Sequence, residues 1–164
     1  MTLSYQDYQI RPWQPGDRQL VADLVRTVLG EYGMSFDPDH TDRDAVHIED
    51  AYWNTGGEFW VIEWNGKLVG SGGFHPIERG EQSVELRKMF LLPEARGHGL
   101  GQFLLEQIEK AAIAKGFKHM WLETATVLTE AVRLYEKNGY RPPADNAKGC
   151  VARCDRLYVK VLAL

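Results

Sequence analysis

The 164-residue chain carries a formal net charge of −4, with 44% hydrophobic and 26% charged residues. That composition suits one soluble domain, residues 1–164, with a substantial core, and it excludes nucleic acid as the main partner because no broadly basic surface is implied. No apolar run reaches membrane-spanning length, the first residues lack a signal peptide's cationic start and apolar run, and Cys150 and Cys154, the only two cysteines, suit a reduced cytosol better than a disulfide scaffold. A cytoplasmic protein is the expectation. Tyr8 to Trp13 reads as a first strand stopped by Pro12, and Pro15-Gly16-Asp17 as a turn in which Asp17 caps the next helix. Leu20, Leu24, Val25 and Val28 recur at helical spacing as far as Tyr32.

Met34 to Asp50 is rich in aspartate: Asp37, Asp39, Asp42, Asp44 and Asp50, with His40, Arg43, His47 and Glu49 among them. The pattern predicts a loop and then a second helix over 42–53. The carboxylates can serve either as a solvated face with helix caps or as a field that draws in a cationic amine. His40 and His47 do not have a recognised ligand spacing, so no metal is expected. From Glu58 the period changes to that of strands. Glu58–Trp64, the turn Asn65-Gly66 and Lys67–Phe74 read as a hairpin, with a bulge or close backbone approach at Gly70, Gly72 and Gly73. A polar connection, 77–82, leads into a third strand of this meander, Ser83–Leu92. Trp53, Trp60 and Trp64 are candidates for a homodimer face or for the core.

The most informative stretch follows. The strand ends at Pro93, and Arg96-Gly97-His98-Gly99-Leu100-Gly101 opens a helix whose apolar face is Leu100, Phe103, Leu104, Ile108, Ala111 and Ala112, ended by Gly116. Free N–H groups at a helix start, with the positive end of the helix dipole behind them, form a site for a phosphate or pyrophosphate. The spacing is neither that of a dinucleotide-binding fingerprint nor that of a P-loop. His119–Thr124 is a further strand, so the unit from 84 to 124 is a parallel crossover. Thr129–Asn138 reads as a helix ended by Gly139, and Arg156–Leu162 as a closing strand.

R-G-x-G-x-G after a strand resembles the acetyl-CoA loop of the GCN5-related N-acetyltransferases (GNAT), written loosely as [QR]-x-x-G-x-[GA]. Ala131-Val132-Arg133-Leu134-Tyr135-Glu136-Lys137-Asn138-Gly139-Tyr140 resembles the family's A-x-x-L-Y-x-x-x-G-[FY] segment. The two motifs stand in the family's order, and the resemblance is firm from Glu58 to Tyr140. It implies a GNAT-like α/β (α+β) fold: a mixed, mostly antiparallel sheet of six to seven strands with a central parallel pair, flanked by about four helices. It also implies an enzyme that moves the acetyl group of acetyl-CoA directly to a primary amine, with no covalent enzyme intermediate and no metal.

By the same resemblance, the backbone of Met89, Phe90 and Leu91 pairs with the pantetheine arm, and the amides of Arg96, Gly97, His98, Gly99, Leu100 and Gly101 hold the pyrophosphate. Lys137 completes the cofactor-binding set. A bulge splays this strand from the next, with the N–H of Met89 as the oxyanion donor. Tyr135 takes the place of the family's general acid. Many relatives carry asparagine where this chain has Leu128, so that contact is absent here or supplied by Thr126 or Thr129.

Acetyl transfer needs a base, because an amine of pKa near ~10 is mostly protonated at neutral pH. Glu85, on the strand leading into the bulge, is the first candidate and Glu123, on the neighbouring strand, the second; either can instead pair with Arg87 or Lys88. Cys150 and Cys154, spaced C-x₃-C, make a poor zinc site and are expected to be free, partly buried thiols. The acceptor is expected between the first two helices and the 75–83 and 142–155 loops. A small-molecule amine comes first and a protein N-terminus or lysine second. A catalytically silent CoA-binding sensor and a nucleotide-binding protein using the glycine loop are the remaining readings.

Overall fold

The computed structural model describes residues 2–162. Seven strands form one sheet in sequential order: β1 (Leu3–Tyr5), β2 (Tyr8–Pro12), β3 (Glu58–Trp64), β4 (Lys67–Ile77), β5 (Ser83–Leu91), β6 (His119–Thr124) and β7 (Arg156–Val161). Every neighbouring pair is antiparallel except β5 and β6. The helices are α1 (Arg18–Glu31), α2 (Arg43–Val46), α3 (Leu100–Ala114) and α4 (Thr129–Lys137). This is the mixed, mostly antiparallel sheet that the motifs implied. Among the described residues no helix is long and apolar enough to cross a membrane.

Local chemistry explains most of the elements. Asn65 and Gly66 both have positive φ (50° and 76°), which makes the tight turn between β3 and β4 match the twist of its strands. Val21, Leu24, Val25, Val28 and Leu29 bury one face of α1. Leu104 and Ile108 of α3 approach the sheet at Gly72, and a side chain there would crowd Ile108. At Gly73 any Cβ would fall 2.6 Å from the carbonyl oxygen of Glu58, so the close approach expected in this glycine-rich strand is real.

Three details differ from the sequence reading. β1 was not anticipated: three residues are too few for a periodic signal, and Gln6 turns the chain in the left-handed region (φ 50°). The segment 42–53 is not one helix but the short α2 followed by a π-helical turn, Glu49–Trp53. Asp17 precedes α1 without capping it. Its carboxylate accepts from the N–H of Gln14 (2.8 Å) and from both terminal nitrogens of Arg11 (2.8 Å each). Of the three tryptophans considered for an outer face, Trp60 is buried and only Trp53 is exposed, its ring edge-on to Trp13.

Candidate active site

The site exists because two neighbouring strands part. β5 and β6 pair only from Ser83–Glu85 to His119–Trp121. Beyond that point β6 stays with β7 while β5 bulges, its register against β4 shifting between Ser71 and Gly73. Lys88 sits at the bulge with φ 52°, and the hydroxyl of Ser71 donates to its carbonyl (2.7 Å). The backbone of β5 past Glu85 therefore has an edge with no strand beside it, as bulges next to active sites commonly provide. The gap widens into a cavity of about 260 Å³. Its walls include Leu86 to Leu91 of β5, Leu122 to Thr124 of β6, Leu134 and Tyr135 of α4, and Val151, Arg153 and Cys154 of the loop before β7.

The glycine loop lies at one end of this cavity, where Arg96, Gly97 and Gly101 line it. The backbone N–H groups of Gly97 to Gln102 find no acceptor among the described residues. Six such donors at a helix start form an anion site. Gly97 and Gly99 have φ of 78° and 81°, conformations that cost other residues strain. The loop is braced from behind: the hydroxyl of Tyr5 and the amide of Gln6 both donate to the carbonyl of His98 (2.9 and 3.2 Å). Arg96 does not supply the free amide expected of it: its N–H donates to the carbonyl of Pro93 (3.1 Å), and its side chain turns away, donating to the carbonyl of Leu91 (3.0 Å) and, bidentate, to Glu31 (2.9 Å).

At the other end stands a buried cluster of charges. Asp42 is fully buried and is paired with Arg153 through both carboxylate oxygens (2.5 and 2.9 Å) and with Lys88 (3.3 Å). Asp44 pairs with Lys88 (3.0 Å) and Arg87 (3.4 Å), and accepts from the hydroxyl of Tyr52 (2.5 Å). Burial works to raise both carboxyls. For Asp42 the hydrogen bonds from Arg153 and from the N–H of Asp37, with the charge of Lys88, outweigh it; for Asp44 the charges of Lys88 and Arg87 do. Both acids are held below the ordinary carboxylate range. Burial in turn pulls the Lys88 ammonium below the ordinary lysine range, against the pull of Asp44 and Asp42. Neither a solvated face nor a lure for cations describes Asp42 and Asp44, which are internal struts. The signal missed was Lys88, a cation inside a strand otherwise suited to the core.

Glu85 and Tyr135 both line the cavity. Oε1 of Glu85 lies 3.4 Å from Nε of Arg87 and 3.8 Å from Nε2 of His75. Burial raises the Tyr135 phenol above its ordinary range, with the nearby Cys154 adding to the effect, and the ring rests edge-on against Tyr140 (5.8 Å). Glu123 also lines the cavity, but its Oε1 accepts from the N–H of Val151 (2.9 Å), and any side chain at Gly149 would collide with its carboxylate. Met89, Phe90 and Leu91 line the gap as a continuous wall.

Not every candidate gathers there. Lys137 is exposed at the end of α4, His98 is exposed behind the loop, and Leu100 points into the core; none of the three, nor Gly99, lines the cavity. Thr126 is committed to Asp155 through its N–H and hydroxyl (2.7 and 2.9 Å), and Thr129 is exposed, so an apolar wall at Leu128 stands where an asparagine was lacking. The two thiols are free, but only Cys154 is partly buried; Cys150 is exposed.

Comparison with known proteins agrees with this fold. The acetyltransferase (GNAT) family matches residues 11–140. The uncharacterised N-acetyltransferase YjgM of Escherichia coli is 37% identical over 142 residues, which is 85% of this chain and 84% of that protein. A GNAT-family acetyltransferase from Staphylococcus aureus superposes with a TM-score of 0.87 at 22% identity, covering 95% of this chain and 99% of the other. The acetyltransferase yncA of Salmonella typhimurium, solved with acetyl-CoA as its cofactor, superposes with a TM-score of 0.73 at 18% identity, covering 96% and 95%. The chain belongs to the GNAT family and is an acyl-CoA-dependent N-acetyltransferase.

Proposed function

We propose that residues 1–164 form one acyltransferase unit that moves the acetyl group of acetyl-CoA directly to the primary amine of a small molecule. The observation that carries this reading is that Glu85 and Tyr135 line the same cavity, in the gap between β5 and β6, with the unpaired amides of Gly97 to Gln102 at its other end. In this reading the amides hold the pyrophosphate and the open edge of β5 at Met89–Leu91 pairs with the pantetheine arm. Glu85 takes a proton from the ammonium. The amine nitrogen then attacks the thioester carbon, the C–S bond breaks, the phenol of Tyr135 gives its proton to the departing sulfur, and the phenolate regains a proton from the acetylated nitrogen, which leaves the neutral amide. Of the two carboxylates, Glu85 is favoured as base because Glu123 is engaged by the loop at Val151. Burial pushes the Cys154 thiol up, so it is a weak nucleophile at neutral pH, which favours direct transfer over an acetyl-cysteine intermediate.

Cavity size supports a small acceptor. About 260 Å³ has to admit the pantetheine arm and acetyl end of the cofactor as well as the amine, which is below the usual ligand-pocket range of roughly 300–1,000 Å³. The loop at 149–154 is tied across the acceptor side by Arg153 to Asp42 and by Val151 to Glu123. Calorimetric titration with acetyl-CoA, with ATP as the control, tests the loop. Thiol release over a panel of amines then tests the reaction: a polyamine, an arylalkylamine, free amino acids and a short peptide with a free N-terminus. Tight acetyl-CoA binding and release with one small-amine class is the expected result. Release with the peptide alone replaces the small-molecule reading by a protein acceptor, and acetyl-CoA binding no tighter than ATP overturns the reading of the loop.

A further inference from the structure

We infer that His75 is the second station for the proton that Glu85 removes, passing it out of the cavity to solvent. The inference rests on Glu85 as the base, and it concerns a residue on the far side of that carboxylate from the reacting amine. His75 and Glu85 are direct cross-strand partners in the β4–β5 ladder. Nδ1 of His75 lies 3.1 Å from the carbonyl oxygen of Pro76. A carbonyl only accepts, so Nδ1 carries the hydrogen, and the lone pair of the neutral ring is on Nε2. Nε2 faces Oε1 of Glu85 at 3.8 Å. That is about 1 Å beyond hydrogen-bond contact, and such contacts often tighten only when substrate binds. The two cation contacts of the Glu85 carboxylate both run to Oε1, while the residue itself lines the cavity. His75 does not line the cavity. The carboxylate thus stands between the reacting space and the imidazole.

The chemistry of the step is balanced. One proton leaves the ammonium for Glu85 as the amine becomes nucleophilic. A half-turn of the carboxyl presents it to Nε2, the imidazolium forms with its Nδ1–H still on Pro76, and the proton leaves to water from a side chain 22% exposed. In water an imidazole is a stronger base than a carboxylate by about two pH units, so the relay gives the proton a better resting place than a lone acid would. The groups around the ring suit a transient cation. Glu85 faces it from β5 and the ring of Tyr52 meets it edge-on at 5.7 Å, with that hydroxyl on Asp44. Arg87 is the opposing charge, and it is paired to Glu85 and Asp44. The turn before β3 brings the backbone of Gly57 close to the Cα of His75, and Glu58 of β3 stands across from the neighbouring Phe74.

Two measurements test the relay. Nitrogen-15 NMR of the five histidines, with His75→Gln as the assignment control, should show His75 as the Nδ1–H tautomer at high pH. Steady-state kinetics, with whichever panel amine turns over fastest, should show kcat in His75→Gln down by about tenfold with KM for both substrates within about twofold, and added imidazole restoring the variant while leaving the native enzyme unchanged. An Nε2–H tautomer, an unchanged kcat, or a loss that imidazole does not restore overturns the relay. The parallel variant Glu85→Gln separates the two readings. If it turns over normally, the base assignment falls and the relay with it. If it is inactive while His75→Gln is normal, the relay alone falls.

Discussion

Tyr135 carries the sharpest expectation at the scale of single residues. Its phenol is buried in the cavity wall, held edge-on by Tyr140, whose own hydroxyl donates to Glu109 (2.9 Å). Removing only the oxygen, in Tyr135→Phe, keeps that packing and deletes the donor. Turnover should fall by about 10²-fold, as for loss of a general acid, while calorimetric affinity for acetyl-CoA stays unchanged. The pH profile follows from the direction of the shift. An acid whose range is raised keeps its proton to higher pH, so Tyr135 adds no falling limb to kcat below the ordinary phenol value of about 10. A limb at lower pH that disappears in Tyr135→Phe would contradict the assignment.

Among the elements, the glycine loop and the charged cluster at the bulge are the two that decide whether the site exists. Gly99 has φ of 81°, and any Cβ there would strike the hydroxyl of Tyr5. Gly99→Ala must move either the loop or β1, a strain of about 1–2 kcal/mol, and should raise the dissociation constant for acetyl-CoA by about tenfold. Asp42→Ala would leave Lys88 and Arg153 without a shared partner and should cost about 3 kcal/mol in urea unfolding. The same cluster sets the acid limit. Because Asp42 and Asp44 are held below the ordinary range, the unfolded chain binds their protons first. Their contribution is complete above about pH 4 and is lost as pH falls through their folded values. Urea midpoints measured from pH 7 to pH 3 should therefore drop most steeply below about pH 4, and less steeply in Asp44→Asn. The glycine loop was legible because its signal is local: three glycines, a preceding strand, a following amphipathic helix. The cluster was not, because Asp42, Lys88 and Arg153 are far apart in the chain and each looks ordinary alone.

For the molecule as a whole, the fold and the cofactor are linked by mass action. A ligand that binds only the folded state adds about 2.7 kcal/mol at a hundred times its dissociation constant. For a chain of this size that corresponds to a rise in Tm of about 5–10 °C, and acetyl-CoA should produce it in a thermal-shift titration while ATP at the same concentration does not. The sequence by itself determined six of the seven strands, the main helices, the position of the glycine loop and the family, since each rests on residues adjacent in the chain or one helical turn apart. Only the tertiary structure decided that Lys88 occupies the bulge between Asp42 and Asp44, and that His75 stands behind Glu85. Those facts depend on pairing register and on charges brought together from distant segments, and a one-residue slip of β5 would move Glu85 and Lys88 to the other face of the sheet.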